Sequence, residues 1–224
     1  MSNSVSQSTT LFETGPTPRV GQTIKAALAA WLGVIVVLGA AGAFVGPPGN
    51  PPLPAFAGAA VPLIVFAVAW RISQAFRDFL LALDVRAIIA VQAWRYAGFG
   101  FIALYTNHVL PGLFAWPAAL GDMAIGIAAP LWIVALIKNP AAVASPGFRL
   151  WNALGILDFV IAFTTATVSS MTLVTDSLPS MAPMAQLPLV LIPTFMVPFF
   201  LMLHIVALMQ SKQARADALG SPRR

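Results

Sequence analysis

Of the chain's 224 residues, 59% are hydrophobic before its 16 glycines are counted, and only 8% are charged. A soluble domain carries roughly 25% charged residues; 12 Lys and Arg with seven Asp and Glu could not dress so apolar a chain, whose mean hydropathy is +0.86. An integral membrane protein is expected. The net charge of +5 does not imply a nucleic-acid partner, because the basic residues are scattered without a stripe or cluster. Zero cysteines exclude disulfides, thiolate catalysis and Cys-ligated metal centres.

The chain opens with a Ser/Thr-rich stretch holding Pro16 and Pro18, so residues 1–23 read as a disordered cytoplasmic tail. The polar lead is long and the first apolar run exceeds a signal-peptide core, which argues against cleavage. A spanning helix needs about 20 mostly apolar residues. Six such runs are predicted: Ile24–Val45, Ala55–Ile72, Ala87–Tyr105, Pro117–Ile137, Trp151–Met171 and Leu187–Met209, a transmembrane domain over 24–209. Between the second and third runs, Phe76, Phe79, Leu80 and Leu83 recur at helical spacing, which predicts a short amphipathic surface helix within Gln74–Arg86. Residues 210–224 read as a basic tail.

The connecting segments test this division. Eleven of the twelve Lys and Arg fall before the first run or at its start, in the second-to-third and fourth-to-fifth connections, or after the sixth run. The other three connections, 46–54, 106–116 and 172–186, have none. The positive-inside rule then predicts an all-α bundle of six transmembrane helices with both termini cytoplasmic. Nine Arg against three Lys, with much Ala and Pro, suggests a GC-rich bacterial genome and hence an inner membrane.

Three weakly repeated hairpins are discernible. Outgoing runs carry Trp31 and Gly33, Trp94 and Gly98, or Trp151 and Gly155; returning runs carry Pro62, Pro130, or Pro193 with Pro198. The segments 58–63 and 126–131 match best. Chance agreement within a restricted alphabet is the competing explanation.

Arg95, Asp122 and Asp158 are the charges that lipid should not contain, since each costs at least ~2.5–3.5 kcal/mol at mid-bilayer. At ~1.5 Å per residue, Arg95 and Asp158 lie at about the same depth, and Asp122 roughly 10 Å further out. The expected pair is Arg95–Asp158, with Asp122 left over as a candidate proton relay beside Gly121 and Gly126. Asp158, Ala162, Thr165 and Ser169 share a helix face with Gly155, and Asn152 stands at the cytoplasmic edge of that stripe. The stripe reads either as a wetted lining or as hydroxyls bonded to their own helix.

His108 and His204 are placed on opposite sides of the membrane, too far apart to share a haem, and neither is placed near the aspartates. A copper site through Met171, Met181 and Met184 has little beyond composition to support it. No cofactor or metal is expected, and no nucleotide-binding or hydrolase motif occurs. The leading function is transport or permeation of a small solute or proton-coupled ion through Arg95, Asp122, Asp158, Asn152, Thr165 and Ser169. The rival is a non-catalytic subunit or assembly factor of a larger membrane complex. The expected partners are the lipid bilayer and either another membrane protein or a second copy of the chain.

Overall fold

The computed structural model describes residues 18–172 and 179–220. Among them there is no strand. We number the helices α1 (Pro18–Ala40), α2 (Leu53–Ile72), α3 (Gln74–Leu81), α4 (Val85–Thr106), α5 (Gly112–Lys138), α6 (Pro146–Thr172) and α7 (Ile192–Gly220). All but α3 are long and apolar enough to cross a membrane. Val37, Val61, Val65, Leu131 and Val160 are each more than half exposed, a belt of bare aliphatics that only a lipid solvent would tolerate. The chain thus has the build of a multi-pass membrane protein.

Helix α1 begins at Pro18, ahead of the expected Ile24, and ends at Ala40 rather than Val45; the remainder of the expected tail lies outside the described residues. The other end differs more. Helix α7 starts at Ile192 and runs without a break past Met209 to Gly220. Its last turns are polar, so hydropathy alone ends the span where the helix itself does not end.

Helix α3 forms as its apolar spacing predicts. The Ser73 hydroxyl accepts from the Phe76 amide at 3.2 Å, and Leu80 is buried. The carboxylate of Asp84 caps the start of α4, accepting from the Arg86 amide at 2.8 Å. These caps turn the chain sharply between α2 and α4.

Beside a small apolar cluster of Ile35, Phe44 and Val190, two larger ones fill the bundle among the described residues. One joins Leu80, Ile89, Ile125, Ala129, Phe148, Trp151 and Val206, and the other Phe101, Leu110, Phe114, Ala118 and Met184. Along α4 the order is Ile89, Arg95, Phe101; along α5 it is Ala118, Asp122, Ile125. The charged residues therefore occupy the layer between the clusters.

Irregular backbone occurs at two points of the bundle, one of them in this layer. Residues Ala93–Gly98 of α4 form a 3₁₀ stretch, and Ile192–Met196 of α7 a π turn. Both lie against a glycine on the crossing helix. A methyl group at Gly126 would overlap the Tyr96 backbone, and one at Gly58 would come within 2.8 Å of Thr194 Cγ2. These are the two glycines that head the best-matching repeat segments. The tryptophans of the three hairpins differ: Trp94 is 71% exposed, whereas Trp151 is buried and Trp31 packs at a tilt against Phe195, ring centres 4.5 Å apart.

Candidate functional site

Arg95 is wholly buried and organises the layer. Its Nε donates to Asp122 Oδ1 at 2.7 Å, and one terminal nitrogen donates to Asp158 Oδ2. The other donates to the Gly155 carbonyl at 3.3 Å and to His204 Nε2 at 2.9 Å. The guanidinium carbon stands 4.1 Å from the centre of the Phe159 ring. Every nitrogen of the cation is occupied, and its face lies on an aromatic ring.

Asp122 is therefore not the isolated carboxyl that helix depth alone suggests. The start of α5 accounts for most of this: it begins at Gly112 rather than the expected Pro117, so Asp122 stands ten residues from its N-terminal end instead of five, about 7 Å deeper. The 3₁₀ stretch, at ~2.0 Å per residue, adds only about 1 Å. Gly121 and Gly126 do not leave open room beside Asp122 either. The space at Gly121 is taken by Asp158 Oδ1, and that at Gly126 by the Tyr96 backbone. Gly98 in turn makes room for the Asp122 side chain, and Gly155 for the His204 imidazole.

His204 is the member that sequence reasoning missed. Because Arg95 can only donate, Nε2 of His204 must accept, so its proton sits on Nδ1 and is donated to Asn152 Oδ1 at 2.9 Å. Asn152 donates onward to the Phe148 carbonyl at 2.8 Å. Asn152 thus joins the cluster through His204, and both are fully buried. The chain Phe148–Asn152–His204–Arg95 holds the imidazole neutral and fixes the guanidinium from behind. A signal for this was present: a polar pair, Asn152 and His204, on two apolar helices needs mutual satisfaction.

Thr165 and Ser169 are not part of the cluster. Thr165 donates to the Ile161 carbonyl at 2.9 Å, and Thr164, Thr167, Ser170 and Thr172 likewise bond carbonyls of their own helix. Ser169 is fully buried, and its hydroxyl has no partner among the described residues. The α6 face that meets a cavity is instead Asp158, Ala162, Ala166 and Ser170, spaced by four throughout.

That cavity, of about 80 Å³, starts at Asp122 and Asp158. Phe56, Phe101, Phe114, Phe159 and Phe163 are among its walls, and Pro52, Ser170 and Met181 lie at its far end. Those last residues belong to, or adjoin, two of the three connections that lack Lys and Arg, 46–54 and 172–186. A water needs ~10–15 Å³ of such space, so several fit. Asp158 is 8% exposed at its side chain and Asp122 18%, both toward this space, while Arg95 is at 0%. His108, with φ of 58°, sits in the α4–α5 turn, far along α4 from Arg95. Among the described residues no three His, Asp or Glu converge as metal ligands.

A family model described as a domain of unknown function (DUF8737) matches residues 53–210. The chain belongs to this family. The matched DUF8737 region runs from the start of α2 to the end of the apolar part of α7. It contains the whole Arg95 cluster and every residue named in the cavity wall except Pro52. Helix α1 precedes it. No curated protein and no solved structure matches the chain.

Proposed function

We propose that this protein moves a small solute across a bacterial inner membrane, coupled to protonation of Asp122 and Asp158. The observation that carries the reading is a cavity that ends on two carboxylates, with their shared arginine sealed behind them. A permanent structural lock would need no such access. In this arrangement Arg95, His204 and Asn152 hold the carboxylates in place, and the cavity brings solute and water to them. On the positive-inside reading both termini are cytoplasmic and the cavity opens to the opposite side.

The second reading, a subunit or assembly factor of a membrane complex, draws on the complete pairing of Arg95, which suits a rigid packing core. Solvent access separates the two. The chain has no cysteine, so Ala162→Cys and Ala166→Cys are unique thiols on the cavity wall. Both should react with a membrane-impermeant maleimide applied from the extracytoplasmic side, while Val160→Cys on the exposed aliphatic face should not. If the cavity thiols are as inert as Val160→Cys, the cavity is dry, and the subunit reading replaces transport.

A further inference from the structure

We propose that the solute is a small organic cation, a protonated amine on a short aliphatic body, which exchanges with a proton at Asp122 and Asp158. This rests on the transport reading and names its substrate class.

Charge in the layer is the first argument. The titratable groups that face it are Arg95 from α4, Asp122 from α5, Asp158 from α6 and His204 from α7; the wall residues of α2 and of segment 181–185 add none. His204 accepts from Arg95 and contributes no charge. Two carboxylates therefore share one guanidinium, which leaves a single negative charge in an apolar surround. That charge must be met by a proton or by another cation.

The second argument is the unused acceptor capacity. Each aspartate gives one oxygen to Arg95. Asp122 Oδ2 and Asp158 Oδ1 have no hydrogen-bond partner among the described residues, although the Asp158 side chain is more than nine-tenths buried. A carboxylate accepts several hydrogen bonds, and an ammonium group is a donor with no acceptor. An anion would instead meet both carboxylates before it reached Arg95, which has no exposed surface.

The walls supply the third argument. Phe56, Phe101, Phe114 and Phe163 suit an apolar body, and the ring faces suit a cation. They do not suit a hydrated divalent metal, which needs six or more oxygens. Exchange then balances simply. The arriving ammonium ion takes the place of the proton on the carboxyl pair, and that proton leaves through the cavity to water.

The test uses the full chain in lipid nanodiscs with ethylammonium as probe, ethanol as its neutral analogue and acetate as its anionic one. Calorimetry in two buffers of different ionisation enthalpy reads both binding and proton release. Ethylammonium should bind at least about tenfold more tightly than ethanol, with proton release. Its affinity should fall by up to about tenfold for each unit by which pH is lowered where the pair is proton-loaded. Asp122→Asn and Asp158→Asn should each abolish the proton release. Ala166→Phe, which fills the cavity without touching the charges, should abolish binding in a chain that remains folded. Equal binding of alcohol and ammonium, preference for acetate, or ammonium binding that survives Ala166→Phe would each overturn the proposal. Reactive cavity thiols with no ammonium binding would sink this inference alone, whereas inert thiols would sink the transport reading beneath it.

Discussion

Removal of Arg95 should be the most damaging single change in this protein. Arg95→Met keeps a long apolar side chain yet removes both ion pairs, the bond to the Gly155 carbonyl, the bond to His204 and the contact with Phe159. What remains is two carboxylates in a layer walled by Phe, Ala and Gly. Loss of one partner from a buried ion pair costs about 3–5 kcal/mol. At about 2–4 °C per kcal/mol for a chain of this length, that is a fall of roughly 6–20 °C in Tm. The double change Arg95→Met with Asp158→Asn should recover part of this, and addition of Asp122→Asn should recover most of it, because an all-neutral layer has no uncompensated charge. The assay is thermal unfolding in a mild detergent, followed by tryptophan fluorescence. If Arg95→Met unfolds within a degree or two of the wild type, or if the aspartate changes add to its loss, the shared ion pair does not stabilise the bundle.

Two further expectations concern the packing and the caps. Gly155→Ala would drive a methyl group into the His204 ring and should cost about 1–3 kcal/mol in the same assay, whereas Gly33→Ala, on the exposed face of α1 with nothing within 4 Å, should be neutral or stabilise by up to about 1 kcal/mol. The hydrogen bonds from the Arg86 side chain and backbone hold the Asp84 carboxyl below its ordinary value of 3.8. Its contribution to the α4 cap is therefore fully present above pH 3.8 and lost only as pH falls through the lower, folded-state value. Thermal unfolding across pH 3 to 6 should show a loss at the acid end that is smaller in Asp84→Asn.

The spans were legible because a run of about 20 apolar residues has few other uses, and the α3 surface helix because Phe76, Phe79 and Leu80 keep a helical spacing outside any span. Arg95 and Asp158 were legible as partners because counting along straight helices puts them at one depth. The same count failed for Asp122 because it started from Pro117, where hydropathy begins the run, whereas α5 begins five residues earlier at Gly112. His204 was missed for a different reason. Five residues from Met209, against eight from Ala87 for Arg95, it lies within about 5 Å of Arg95 in depth, and depth does not say which face of a helix turns inward. The hydroxyls of α6 show the limit of face counting: a shared face does not reveal that Thr165 already has an acceptor in its own helix.

The central claim is that Asp122 and Asp158 exchange a proton with water through the cavity. Infrared difference spectroscopy on the full chain in lipid, stepped between pH values and labelled with isotopic aspartate, reads that proton directly. A carboxyl C=O stretch of low-polarity character should grow and fade with bulk pH, and Asp122→Asn and Asp158→Asn should each remove or shift it. Spectra of the two variants that superimpose on the wild type at every pH would mean that both carboxylates are locked permanently to Arg95, and the site would then be a structural clamp.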